Sequence, residues 1–253
     1  MMRSLILASL LASPAFAAEP IVVMSGENQT AVVELYTSEG CSSCPPADRW
    51  LSDLVEVPRQ ELDALALSFH VDYWNYLGWE DRFSSAEYTR RQRLLGANNR
   101  QRTIYTPEFF VNGMEARGTS SIIDKIQQAN RKPAPLDLQL SVSQQGGELL
   151  LSLQTPSRRD TLGEAHHRYL VYEDNLSTQV ERGENRGKLL SHQRVVRYLS
   201  DAGELRDENR HRIRIDPEWQ AQNLGVAVLV TSGDDRRYLQ AVHTPVGSLL
   251  TLR

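Results

Sequence analysis

The sequence predicts an α/β fold in its first half and a mainly β, sandwich-like fold in its second. Three observations lead there. Between residues 31 and 130, short apolar runs alternate with segments of helical period. A polar stretch closed by two prolines, Asn130-Arg131-Lys132-Pro133-Ala134-Pro135, then breaks the pattern. Beyond it, strand patterns follow one another with no long helix between them.

The elements follow in order. Residues 1–17 read as a secretory signal peptide, with Arg3 as the positive start, an apolar run over 5–12 and Ala15-Phe16-Ala17 as the small-x-small cleavage site. That run is far short of the roughly 20 residues a spanning helix needs. No later segment is apolar enough to cross a membrane, so the expected product is secreted or periplasmic, with one domain over 18–132 and a β-rich accessory domain over 133–253. Residues 31–37, Ala-Val-Val-Glu-Leu-Tyr-Thr, suit a central strand. Ser38-Glu39-Gly40 breaks it, and Cys41-Ser42-Ser43-Cys44 follows. Ala47, Trp50, Leu51, Leu54 and Val55 then share one helical face, with the regular helix expected to start near Pro46. Residues 64–71 are nearly continuous apolar sequence, as in a strand covered on both sides.

A polar and aromatic insertion runs from Asp72 through Trp74 and Tyr76 to Trp79, for which aromatic core is the expected role and the lining of a groove beside the dithiol the alternative. Ser84-Ser85-Ala86-Glu87 fits a capping box opening a basic helix to about Asn98, whose Arg90, Arg91 and Arg93 read as a solvated face. Thr106-Pro107 precedes a hairpin of residues 108–117 turning at Asn112-Gly113. A last helix, capped by Thr119 or Ser120, carries Ile122, Ile123, Ile126 and Ala129 on one side.

Strand, Cys-x-x-Cys, helix, strand, helix, X-Pro, hairpin and helix together resemble a thioredoxin fold. More narrowly, residues 34–48, Phe69-His70-Val71-Asp72-Tyr73-Trp74 and Leu77-Gly78-Trp79 resemble the secreted bacterial family catalogued as domain of unknown function 1223. The resemblance implies a thioredoxin-like N-terminal domain with a helical insertion, and an exported compartment. The family carries no settled activity. It also implies that Thr106-Pro107 is the X-cis-Pro pair beside the cysteines, with Thr106 binding the partner peptide as an added strand. A buried acid near the position of Glu34 is common in thioredoxin-like oxidoreductases, and Glu34 is accordingly a candidate proton acceptor for Cys44.

The two cysteines are the only ones in the chain. A Cys-x-x-Cys can be a redox dithiol, half a zinc site or a structural disulfide. A closed zinc site needs four ligands and there is no second pair. A structural bridge over so short a loop would be worth only about 2 kcal/mol. Redox chemistry fits best, with Cys41 as nucleophile where helix-terminal N–H groups favour a thiolate and Cys44 as resolving thiol. No cofactor is needed, and the expected partner is a protein or small-molecule thiol or disulfide. A copper-handling protein using Cys41, Cys44 and His70 is a rival, as is a binding module with no chemistry. His70 and Asp72, at the carboxyl end of their strand, read as packing or capping groups that could also tune Cys41.

In the second half, strands are expected over 136–142, 148–153, 169–172, 194–199, 212–215, 226–231 and 239–242. Gly183-Glu184-Asn185-Arg186-Gly187-Lys188 superficially resembles a phosphate loop, but Arg182 stands where the leading glycine should be and Leu189 replaces the required Ser/Thr. Adjacent His166 and His167 point to opposite faces of a strand and make a weak metal signal. With 28 Lys+Arg against 32 Asp+Glu, the formal net charge is −4 and no basic stripe is present, which speaks against nucleic acid as a partner.

Overall fold

A computed structural model of the chain describes residues 19–56, 62–158, 162–234 and 237–250. The segment read as a signal peptide lies outside these residues. The structure is mixed α/β with more strand than helix and several sheets. Its first half comprises β1 (Ile21–Met24), β2 (Ala31–Thr37), α1 (Pro45–Glu56), β3 (Ala64–His70), α2 (Ala86–Asn98), β4 (Glu108–Val111), β5 (Met114–Ala116) and α3 (Thr119–Asn130). β2 and β3 run parallel, β4 pairs antiparallel on the other side of β2, and β5 follows as a hairpin partner. Asn112 and Gly113 both take positive φ at the hairpin turn, as a two-residue turn of this hand requires.

β2 is buried along its whole length because both of its faces are covered. Ala31, Val33 and Leu35 meet Leu51 of α1 and Ile122 and Ile126 of α3. Val32 and Tyr36 face the other way, into a cluster with Phe69, Tyr88 and Leu95. Glu34 shares that second face and is 1% exposed. Its carboxylate is gripped by Arg91 of α2 through Nε (3.0 Å) and Nη2 (2.8 Å), and it accepts from Tyr36 Oη at 2.7 Å and from Tyr238 Oη. Arg91 is therefore turned inward, its side chain 12% exposed, where helical spacing alone put it on a solvated face. A buried carboxylate opposite supplies the reason.

The second half adds β6 (Gln139–Gln145), β7 (Glu148–Gln154), β8 (Ala165–Glu173), β9 (Leu176–Gln179), β10 (Leu189–His192), β11 (Val195–Leu199), β12 (Gly203–Glu204), β13 (Glu208–Arg214), β14 (Leu224–Ser232), β15 (Tyr238–Pro245) and a final turn of helix, α4 (Gly247–Leu250). All seven expected strand regions contain a strand; β1, β9, β10 and β12 are additional. The halves share a sheet, in the order β15-β14-β8-β11-β3-β2-β4-β5, with β12 beside β8. The junction is β11 on β3, where Val195 pairs in parallel with Ser68 and the Ser68 N–H donates to the Arg194 carbonyl at 2.9 Å. A second sheet, β1-β6-β7-β13, faces β8, β14 and β15 across a core of Leu140, Val142, Leu151, Val171, Val228 and Val242. β14 is buried throughout because this core lies on one side of it and the cluster holding Phe69 and Tyr88 on the other. Among the described residues no helix is long and apolar enough to cross a membrane.

Helix starts differ in detail from expectation. Ser85, rather than Ser84, caps α2 by accepting from the Glu87 N–H at 3.1 Å, because the Ser84 hydroxyl is committed to the Asp81 carbonyl at 2.7 Å. α3 begins directly after Gly118, whose φ of 77° a Ser or Thr cap would resist, and no side chain caps it.

Glu34→Gln should destabilise the fold by about 3–5 kcal/mol, because it leaves the Arg91 charge buried without its partner. Arg91, Tyr238 and Tyr36 hold the Glu34 carboxyl below its ordinary value of 4.5 despite burial, so its contribution is present above that value and lost as pH falls. Urea unfolding of the wild type should weaken below about pH 4.5 more steeply than that of the variant; parallel pH profiles would contradict the assignment.

Candidate functional site

At the carboxyl end of β2 the chain turns into α1 through Ser38-Glu39-Gly40-Cys41-Ser42-Ser43-Cys44. Main-chain hydrogen bonds close the turn: Cys41 N–H to the Ser38 carbonyl at 3.1 Å and Cys44 N–H to the Cys41 carbonyl at 3.2 Å. The Cys44 carbonyl then accepts from Ala47 at 2.8 Å and Asp48 at 3.1 Å, which starts the helix at Pro45, one residue before the expected point. Prolines at both first positions lose nothing there, since those N–H groups have no intrahelical partner. Cys41 and Cys44 are joined as a disulfide and are 1% and 0% exposed. Ser43 Oγ lies 3.4 Å from Cys41 Sγ.

The aromatic insertion clamps this turn, and Trp74 also packs against the core cluster that holds Phe69 and Tyr88. Trp79 Nε1 donates to Glu39 Oε2 at 2.8 Å, and Trp74 Nε1 to Thr106 Oγ1 at 2.7 Å. Gly40 packs so closely on Trp74 that a Cβ would lie 3.2 Å from the tryptophan Cβ. Tyr76 is 80% exposed. Both indoles carry a polar N–H that core packing would strand, which is why they sit at a polar rim.

Behind the disulfide lies a buried group of ionisable side chains that comes from five places in the chain. Asp81 Oδ2 accepts from His70 Nδ1 at 2.6 Å and from the Glu39 N–H at 2.9 Å, while Oδ1 accepts from the Phe83 N–H at 2.9 Å. Burial alone would lower the His70 pKa, but Asp81, with Asp48 and Glu39, holds it above its ordinary value. Asp81 is correspondingly held below its own, His70 and the two N–H groups outweighing burial. His192 at the end of β10 stacks edge-on against His70 at 4.9 Å between ring centres. Its Nε2 is 3.3 Å from Glu39 Oε1, close enough for ion pairing but not aligned as a hydrogen bond. Asp48, one helical turn past Cys44, is buried. Burial pushes its carboxyl above the ordinary value against the pull of His192 and His70. Asp48 Oδ1, His70 Nε2 and both His192 nitrogens make no hydrogen bond to the described residues.

The site residues expected from sequence are thus only partly together. Cys41 and Cys44 are bonded, and the Thr106–Pro107 peptide is cis. Pro107 lines a groove of about 640 Å³ that also takes in Ser43 of the Cys-x-x-Cys, Pro46, Trp50, Phe109 and Ile122. The Glu34 carboxylate has Arg91, Tyr36 and Tyr238 as partners. Asp72 is a structural acceptor for Thr89 Oγ1 at 2.6 Å. His70 belongs to the buried group with Asp81. Glu39, Asp48, Asp81 and His192 carry no local signal in the sequence, since each stands among ordinary polar neighbours far from the others. Among the described residues no three His, Cys, Asp or Glu side chains are arranged to hold a metal ion.

One further contact comes from far along the chain. Residues 180–188 join β9 to β10 and form a strap across the turn. Asn185, fully buried, donates through Nδ2 to the Glu39 carbonyl at 2.8 Å and the Cys41 carbonyl at 2.9 Å. The Ser42 N–H donates to Glu184 Oε2 at 3.2 Å.

Residues 32–231 match the sequence profile of the family described as Protein of unknown function (DUF1223). The chain belongs to that family. A crystal structure of a protein from Agrobacterium tumefaciens is similar over 88% of this DUF1223 chain and 96% of its own, at 25% identity and a TM-score of 0.66. HBP35 of Porphyromonas gingivalis, at 16% identity and a TM-score of 0.62 over 88% of this chain and 76% of its own, shares the fold alone. No curated protein matches.

The sign of the His70 shift gives a pH test. Its stabilising contribution is complete below the ordinary value of 6.5 and is lost as pH rises through the raised value in the fold. Urea midpoints of the wild type should therefore fall on the alkaline side of 6.5, and His70→Gln should flatten that fall. An alkaline slope unchanged by the substitution would contradict a protonated His70.

Proposed function

We propose that this DUF1223 protein is an exported thiol–disulfide oxidoreductase working through Cys41 and Cys44. The observation that carries the reading is the disulfide itself. It lies at a strand-to-helix turn, beside an apolar groove that runs from Ser43 to Pro107 and Phe109. The strand order β3-β2-β4-β5, with β2 and β3 parallel, β4 antiparallel and α1 leaving the central strand through the cysteines, supports a thioredoxin-like N-terminal unit. The arginine, apolar run and small-x-small site over residues 1–17 support export, where a disulfide persists.

The chemistry balances as follows for a partner dithiol. A partner thiolate attacks Cys41 Sγ, the Cys41–Cys44 bond breaks, and Cys44 leaves with the electron pair and takes up a proton. The partner's second thiol, deprotonated, then attacks its own sulfur in the mixed disulfide and releases Cys41 as a thiolate. Two electrons pass from the partner to the protein, and reversal runs the other way. Thr106 and Pro107 would hold the partner's chain along the groove. Cys44 needs a proton donor and acceptor, and Asp48 is the better placed acid. It is buried one turn along α1, with Oδ1 unpaired, whereas Glu34 is the counter-ion of Arg91.

Cys41→Ser should abolish exchange with a reduced test protein, and Cys44→Ser, whose Cys41 is then a free thiol, should accumulate the mixed disulfide when given a disulfide-containing test protein, detected by mass spectrometry. Absence of exchange by the wild type with any thiol near neutral pH would sink the reading. Asp48→Asn should slow resolution of the mixed disulfide by about a hundred-fold at neutral pH, the usual scale of a positioned acid–base group. The deficit should shrink at alkaline pH, where Cys44 ionises unaided. A pH-independent deficit would mark Asp48 as structural only.

A further inference from the structure

Both cysteines are shut away from solvent, and the strap over 180–188 bears directly on the first of them. The strap is a poor piece of core. Arg182, Glu184, Arg186, Gly187 and Lys188 are exposed; Val180 at its start and Asn185 are its buried residues, and Gly183 backs onto Trp79. Its shape is internally maintained, with Val180 N–H bonded to the Lys188 carbonyl at 2.9 Å and Gly187 N–H to the Val180 carbonyl at 2.8 Å. Gly183 and Gly187, at φ of 73° and 81°, let the chain turn sharply on either side of Asn185. An element held by few apolar contacts belongs to the part of a structure that opens most readily.

The latch bonds are specific in kind. Asn185 supplies N–H donors to two main-chain carbonyls, those of Glu39 and Cys41, and Glu184 supplies an acceptor to the main-chain N–H of Ser42. Two carbonyl acceptors, at positions 39 and 41, and one N–H donor, at position 42, lie within four residues of a main-chain turn, a set that the N–H and C=O groups of another polypeptide can complement. A small thiol such as dithiothreitol offers hydroxyls but no run of amide N–H and C=O groups with which to replace them as a set.

Resting on the oxidoreductase reading, we propose that the strap is a gate occupying, at the cysteine turn, ground into which a partner chain held in the Ser43–Pro107 groove would extend. The physiological partner is then a polypeptide that displaces Asn185 and takes over its bonds to the Glu39 and Cys41 carbonyls. Small thiols reach Cys41 only when the gate opens by itself. The redox step is unchanged from that given above; the gate decides who performs it.

The test compares two probes on the full mature protein, dithiothreitol as small thiol and a reduced, unfolded ribonuclease as polypeptide. Asn185→Ala removes two hydrogen bonds of about 1 kcal/mol each, so its disulfide should be reduced by dithiothreitol ten-fold or more faster than that of the wild type. The polypeptide probe should gain much less, so that the wild type prefers the polypeptide and the variant loses the preference. Glu184→Ala, at an exposed position, should shift both rates in the same directions by a smaller factor and guards against misfolding of the first variant. Equal dithiothreitol rates in wild type and both variants, with exchange intact, would overturn the gate and leave the oxidoreductase standing. Equal gains for both probes would retain a lid but overturn the polypeptide preference. A wild type and variants that exchange with neither probe would overturn both readings.

Discussion

The Asp81 carboxylate ties together three pieces of chain around the cysteine turn. It neutralises the imidazolium of His70 at the end of β3, accepts from the Glu39 N–H in the cysteine turn and accepts from the Phe83 N–H that leads into α2. Without it, His70 would lose the strongest of the groups that favour its charged form and the Glu39 N–H would be an orphan, which is costly in a low-dielectric interior. The turn that presents Cys41 and Cys44 is therefore braced from below by an ion pair and from the side by Trp79, which holds the Glu39 carboxylate in place. The geometry of the candidate site is a consequence of satisfying these buried polar groups.

The same constraint explains why the second half of the chain cannot be treated as an appendage. His192 from β10 completes the buried group, Asn185 from the preceding strap satisfies carbonyls of the cysteine turn, and β11 continues the sheet beyond β3. Tyr238 from β15 donates to Glu34 at the heart of the first half. Each of these is a polar group delivered across more than a hundred residues of sequence to an otherwise unsatisfied partner. Burying β3 and β2 under strands from the second half makes such deliveries obligatory, because polar groups there have no access to water.

Two polar networks divide the labour on opposite faces of β2. Glu34, with Arg91 and the two tyrosines, makes a tightly paired, fully hydrogen-bonded charge cluster that stabilises the packing of α2. The group around Asp48 and His192 retains unpaired atoms next to the disulfide. Fully satisfied buried networks rigidify a fold, whereas partly satisfied ones near a reactive centre are where protons can be exchanged. Asp72, on the same strand end as His70, is absorbed into bracing α2 through Thr89.

Local information was enough for the strand-to-helix order around the cysteines, the Asn112-Gly113 turn, the helices over 45–56, 86–98 and 119–130 and all seven longer strands of the second half. Each of these depends on residues within a few positions of one another, through periodicity, turn chemistry or a continuous apolar run. The inward turn of Arg91, the clamps made by Trp74 and Trp79, the His70–Asp81–His192 group and the Asn185 latch were not legible. Their partners lie from 11 residues away, for His70 and Asp81, to 153, for His192 and Glu39, in sequence. Read locally, the strap is only a defective phosphate loop, since nothing within it reveals that Asn185 will be buried. Sequence by itself determined that two thiols stand where a strand becomes a helix. Only the tertiary structure decided what covers them and which acid lies behind them, because a buried charge or carbonyl takes its partner from whatever the fold brings within about 3 Å, not from its neighbours along the chain.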